Sequence, residues 1–125
     1  MLDQTTAENA SRFHWHEGMK FAHEGIKSLM LLNGASTVSV LTFVGNTNEG
    51  DDRLVYAMAC FALGALCGPV SFLFAYLTQL QYGNDNFGAA WKHHWATYLF
   101  IFSGICLFLC GVALAGLSFL QLEQA

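Results

Sequence analysis

Three long apolar segments restrict the fold of this chain more than any other feature of its sequence. They cover residues 28–45, 54–80 and 95–120. Each is close to or beyond the length of about 20 residues that a helix needs to cross a hydrocarbon core about 30 Å thick. Only 11% of the residues are charged and 54% are apolar, which is far from the average soluble composition. We therefore predict an all-α integral membrane protein, a single domain of residues 1–125 with three transmembrane helices.

The residues before the first span are predicted to form a long amphipathic helix, 5–27, which is cytoplasmic and continuous with that span. Thr5 and Glu8 have the Thr-x-x-Glu form of a capping box, and no proline interrupts the residues that follow. Apolar side chains recur along one face at spacings of three and four, which is typical of a helix that packs along another helix. They are Trp15, Met19, Ala22, Ile26, Leu29 and Met30.

The first apolar segment also contains polar side chains. Asn33 falls at the centre of the same helical face, and Ser36 and Thr37 follow within the next turn. A polar side chain inside a span faces the helix bundle or a water-filled cavity, where a hydrogen bond is worth about 0.6–2 kcal/mol. Two interpretations follow: a clamp between helices of one subunit or of neighbouring subunits, or a group that lines a pore or faces a ligand.

Small residues recur at helical spacing in the second and third spans. Such residues let two helix backbones approach closely, so we assign them to helix packing, inside the subunit or between subunits. They are Cys60, Gly64, Gly68, Gly104 and Gly111. All four cysteines lie within predicted spans, where we expect free thiols, and the pair Cys106 and Cys110 lacks the further ligands that a metal site requires.

The basic residues predict the orientation of the chain in the membrane. Four precede the first span or lie in the second loop, and only Arg53 lies in the first loop. The positive-inside rule then places the amino terminus in the cytoplasm. The second loop, residues 81–98, is rich in Trp and Tyr, which mark the membrane interface. A net charge of −4 argues against a nucleic-acid partner.

The histidines form two groups on the predicted cytoplasmic side. His14, His16 and His23 lie on the amino-terminal helix, and His93 and His94 lie at the start of the third span. Solvated or interfacial side chains are one interpretation, and a pH-sensitive helix contact is another because imidazole titrates near pH 6.5. A haem would need one histidine from each of two helices facing a roomy pocket. No cofactor or metal is expected.

Enzyme signatures are absent from the sequence. It contains no Gly-x-Ser-x-Gly, P-loop, dinucleotide fingerprint or His-Glu-x-x-His. We therefore predict a protein that is not an enzyme.

The segment KSLMLLNGASTVSVLTFVGN resembles the first span of small bacterial multi-pass membrane proteins in which an amphipathic helix leads into Leu-Leu-Asn-Gly. The resemblance covers about a sixth of the chain. It implies a bacterial or phage origin and a membrane location, with no function attached.

These features lead to three functional hypotheses. The first is a homo-oligomeric membrane assembly, such as a pore or a membrane-perturbing effector, because the polar and glycine faces exceed what three helices need for their own packing. The alternative is a non-catalytic accessory subunit of a larger membrane complex of the respiratory or photosynthetic type. A third hypothesis is a haem-binding or quinone-binding membrane protein. The expected partners are the lipid bilayer, further copies of the chain, or other membrane proteins.

Overall fold

The chain folds into three long helices. The computed structural model describes residues 2–47 and 51–122. Its elements are α1 (Leu2–Thr47), α2 (Asp52–Gly83) and α3 (Phe87–Leu122). The fold is therefore all-α, as predicted, and α1 contains the amino-terminal segment and the first apolar segment in one continuous helix of 46 residues.

Each helix contains a stretch that is long and apolar enough to cross a membrane: His16–Asn46, Asp52–Gly83 and Phe87–Gln121. Large apolar side chains point outward along all three helices, and Leu31, Leu66 and Phe102 are more than 60% exposed. Exposed apolar surface on this scale marks a surface that lipid or a partner protein covers. The hydroxyls on this surface do not need water, because Ser39 and Thr42 donate to the carbonyls four residues earlier at 2.8 Å.

The prediction of a loop over residues 81–98 is wrong. Only Asn84–Asn86 connect α2 to α3, and the aromatic residues after them lie on helix α3. Asn86 begins α3 by accepting a hydrogen bond from the Ala89 N–H through its side-chain oxygen, at 3.2 Å. Asp85 takes a left-handed backbone conformation with φ of 55°, which Asp tolerates better than most residues. A segment rich in Trp and Tyr is therefore compatible with a continuous helix.

Asp51 caps the amino terminus of α2. Its carboxylate accepts a hydrogen bond from the Leu54 N–H at 3.0 Å. Desolvation raises the pKa of this carboxyl, but hydrogen bonds from the Leu54 and Arg53 backbone and the Arg53 charge contribute to a net pKa below its ordinary value of 3.8. The carboxylate that caps the helix is therefore ionised at neutral pH.

The helices pack closely where glycine faces a larger side chain. The Asn33 amide lies over Gly64, and the Met30 side chain lies over Gly68. A methyl group added at Gly111 would lie 2.6 Å from the Phe61 ring. The small residues predicted for packing thus lie at contacts between helices of the same chain.

A cluster of buried apolar side chains lies beside the carboxyl-terminal part of α1. Val40, Leu54, Ala57 and Phe61 are buried there, and partly buried residues including Phe108 pack against them. Phe61 and Phe108 join α2 to α3 with ring centroids 5.7 Å apart.

The apolar face predicted for α1 is covered only along part of its length. Ile26 is buried and Leu29 and Met30 are half-buried, whereas Met19 and Ala22 are exposed. The side chain of Trp15 lies outside the described residues. The amphipathic amino-terminal helix therefore stays a prediction, and α1 contacts the rest of the bundle from about His23 onward.

We predict that Gly64→Ala destabilises the protein, because the new methyl group would overlap the buried Asn33 amide. Overpacking of this kind costs about 1–3 kcal/mol. Gly34→Ala is the matched control, since nothing lies within 4 Å of a methyl group there. Thermal unfolding in detergent should show a lower midpoint for Gly64→Ala only. Combining it with Asn33→Ala should restore part of the loss, and additive losses in the double variant would contradict the contact.

The packing of α2 against α3 predicts one specific cross-link. The Cys60 and Cys110 thiols lie 3.9 Å apart, and both are free. A variant that retains only these two cysteines should form an intrachain disulfide on mild oxidation in membranes, detected by mass spectrometry after alkylation. A variant that retains only Cys67 and Cys106 is the control. Equal cross-linking of the two pairs would show that the register of α2 and α3 is different.

Candidate functional site

A cavity of about 800 Å³ lies between the three helices at the end of the bundle that holds the Asn84–Asn86 connection. Its walls come from residues 16–26 of α1, 72–82 of α2 and 94–101 of α3. Each helix contributes one face, with residues at spacings of three and four. The cavity therefore forms only when all three helices are packed together.

The origin of the cavity is visible in the sequence of α2. Cys60, Gly64 and Gly68 repeat at a spacing of four, and the next position in this series is Phe72. The Phe72 ring contacts the His23 ring, with centroids 4.8 Å apart. Because a phenyl ring keeps a neighbouring backbone at a distance that glycine does not, close approach of α1 and α2 ends here. The cavity opens where the glycine series stops.

Three of the five histidines named in the sequence analysis line this cavity. His16 and His23 come from α1, and His94 comes from α3. His93 does not line it, and its ring lies 6.1 Å from that of Phe74. The His94 ring meets the Tyr98 ring edge-on at 4.9 Å. The side chain of His14 lies outside the described residues.

The charged groups of the cavity are already paired. Lys20 Nζ lies 2.7 Å from the Glu17 carboxylate, and Lys27 Nζ lies 3.2 Å from the Glu24 carboxylate. Both pairs join neighbours on α1 one turn apart. The lining therefore carries one cation and one anion, Lys20 and Glu24, each of which is neutralised by a residue of its own helix.

The uncharged hydrogen-bonding groups of the lining include some that are already bonded within their own helix and some that are not. The Thr78 and Thr97 hydroxyls donate to carbonyls of their own helices at 2.8 and 3.1 Å. The Gln79 amide and the Tyr82 and Tyr98 hydroxyls make no hydrogen bond within the described residues. These groups, with the His23 and His94 imidazoles, are donors that the cavity can offer to a bound molecule.

The lining changes from polar to apolar along its length. We call the end of the cavity nearest the helix connection its mouth. The lining residues nearer this end are His16, Gln79, Tyr82 and His94. The other end is lined by Ile26, Phe72, Ala75 and Ile101, which lie farther along the spans. A molecule in the cavity would therefore meet mainly polar groups at one end, and apolar side chains together with the His23 imidazole at the other.

Among the described residues, no three His, Cys, Asp or Glu side chains are grouped closely enough to hold a metal ion. The imidazoles come from opposite walls of the cavity instead of one cluster.

Asn33, Ser36 and Thr37 lie outside the cavity. Asn33 is completely buried; its amide N–H donates to the Leu29 carbonyl at 3.0 Å, and its side-chain oxygen faces Gly64 without a hydrogen-bond donor. Ser36 is half-buried, and Thr37 donates to the Asn33 carbonyl at 2.9 Å. Within this chain, Asn33 thus lies in the seam between α1 and α2.

This arrangement removes a premise of the oligomer hypothesis. That hypothesis rested on polar and glycine faces left over after three helices had packed. In the described structure these faces pack against each other: Asn33 on Gly64 and Met30 on Gly68, while Gly104 lies against Leu29. A homo-oligomer, a pore and an accessory subunit all stay predictions.

Sequence analysis missed several lining residues. On α2 they follow spacings of three, four and three: Phe72, Ala75, Gln79 and Tyr82. This spacing defines one face of a helix but does not indicate what that face contacts. The one local signal was the replacement of the glycine series by a phenyl ring at position 72.

No protein-family model, curated protein or solved structure matches this chain.

Proposed function

We propose that this chain is a multi-pass membrane protein that binds a small amphiphilic molecule in the cavity between its helices. The single observation that carries the proposal is an opening of about 800 Å³ with apolar walls and imidazoles from two different helices. Binding sites for small molecules commonly have volumes of about 300–1,000 Å³, largely apolar walls and a few convergent polar groups.

The direction of the polar gradient supports an amphiphile in particular. The polar mouth lies beside Trp91, Trp95 and Tyr82, residue types that prefer the headgroup level of a bilayer. The apolar end is lined by Ile26 and Ile101, which lie inside the candidate spans. A molecule with a polar head and an apolar tail would satisfy both ends at once.

Binding, and not catalysis, is the role that the lining supports. Its histidines can orient a head group by donating hydrogen bonds, and no nucleophile with an adjacent base is among its residues. The apolar walls would hold the body of the molecule and exclude water from it.

We predict that Ala75→Trp abolishes ligand binding. Ala75 lies in the wall of the cavity and is half-buried, so an indole there would fill the space that the ligand occupies. Ala62→Trp is the matched control, because Ala62 is exposed on the same helix and is not part of the lining. Native mass spectrometry after extraction in mild detergent should show a bound small molecule on the parent chain and on Ala62→Trp, and none on Ala75→Trp. Equal occupancy of all three proteins, or an empty parent chain, would refute the proposal.

We further propose a bacterial inner membrane location with the mouth of the cavity on the cytoplasmic side. The basic residues Arg12, Lys20, Lys27 and Lys92 lie at the same end of the bundle, against Arg53 at the other. Alkaline phosphatase fused after the carboxyl terminus should be active, and the same reporter inserted at Asp85 should be inactive. The reverse pattern would place the cavity on the outer side.

A further inference from the structure

We infer that the cavity takes a quinone: a flat ring that carries uncharged hydrogen-bond acceptors, with an apolar tail. This inference rests on the proposed function and names the chemical class of its ligand. Three properties of the lining support it: the balance of its charges, the nature of its polar groups, and the position of its aromatic rings.

The charge balance disfavours an ionic head group. Lys20 pairs with Glu17 and Glu24 pairs with Lys27 on the exposed side of α1, so the local charge is balanced although each pair is weak. A fatty acid or another anion would share Lys20 with Glu17 and would meet the Glu24 carboxylate in the same lining, so the lining offers it no surplus positive charge. An uncharged head group meets neither obstacle.

The uncharged polar groups of the lining can each donate a hydrogen bond to an acceptor on a bound molecule. A neutral imidazole has one N–H donor, and the Tyr82 and Tyr98 hydroxyls and the Gln79 amide add others. His94 lies on α3 and His23 on α1, so donors approach from two sides of the cavity. A quinone carries its two carbonyl oxygens on opposite edges of a ring, which is the arrangement that donors on two walls can satisfy.

Aromatic rings lie beside both histidines. Phe72 contacts His23, and Tyr98 contacts His94, with ring centroids 4.8 and 4.9 Å apart. A flat ring in the cavity can stack on these faces or meet their edges, a contact worth about 0.5–1.5 kcal/mol beyond burial of its area. The tail would then follow Ile26 and Ile101 toward the hydrocarbon.

The test uses the full chain in nanodiscs of zwitterionic lipid, titrated with decylubiquinone. Quinones quench indole fluorescence. The Trp91 ring centroid lies 6.1 Å from that of His94 and 5.9 Å from that of Trp95, so these tryptophans can report binding without a label. Saturable quenching is expected on the parent chain. His94→Leu should raise the midpoint about tenfold, the effect of losing about 1.4 kcal/mol of binding. His94→Gln, which retains a donor, should stay within about threefold of the parent.

His93→Leu is the matched control. It removes the neighbouring imidazole, which packs near Phe74 and does not line the cavity, so its midpoint should equal that of the parent. Equal weakening by His93→Leu and His94→Leu would overturn the assigned role of His94. Circular dichroism of each variant confirms that the helices remain formed.

Three further outcomes would overturn the quinone. Saturable binding of a fluorescent fatty acid, with no response to decylubiquinone, would assign an anionic head group and leave the proposed function intact. A Soret absorbance band in the purified protein that is lost in His94→Leu would assign haem and likewise leave binding in the cavity intact. Absence of every ligand, together with no effect of Ala75→Trp, would remove both the quinone and the proposed function.

Discussion

The contact between the Asn33 amide and Gly64 controls the geometry of this protein. Asn33 is completely buried, and the absence of a side chain at Gly64 gives its amide a place between α1 and α2. Its N–H is satisfied by the Leu29 carbonyl of its own helix, but its oxygen has no donor among the described residues. An unpaired buried carbonyl costs about 1–3 kcal/mol, which close packing on both sides of the seam must offset.

The rest of the bundle depends on where this close approach begins and ends. On one side of Asn33 the cluster around Val40, Leu54 and Phe61 closes the interior. On the other side Met30 covers Gly68, and the series of small residues then gives way to Phe72. The distance between α1 and α2 is thus set by the side chains of α2, and the cavity is the space that remains after the glycines end.

This arrangement connects packing to the proposed function. In the seam between α1 and α2, Asn33 and Thr37 donate to carbonyls of their own helix, and neither residue lines the cavity. The groups near the mouth retain donors, and the proposed membrane location would place them where a bilayer changes from hydrocarbon to headgroups. Along α1 and α2, the residues that pack closely are thus different from the residues that line the cavity.

The sequence by itself determined the number of helices, their apolar character and the continuity of α1, because these follow from the length and composition of local segments. It also located the small residues at which helices meet, since small side chains at a spacing of four predict close contact without naming the partner. The loop between α2 and α3 was predicted too long, because aromatic residues of the interface are compatible with a helix.

Only the tertiary structure decided which faces meet. It placed Asn33 on Gly64 and brought His23 and His94 to one cavity while leaving His93 outside, although His93 and His94 are adjacent in the chain. The physical reason is that a helical face is defined within one helix by its period of 3.6 residues, whereas a cavity depends on the rotation and separation of three helices. Those quantities arise from contacts between segments distant in sequence, such as Met30 with Gly68, and no local pattern contains them.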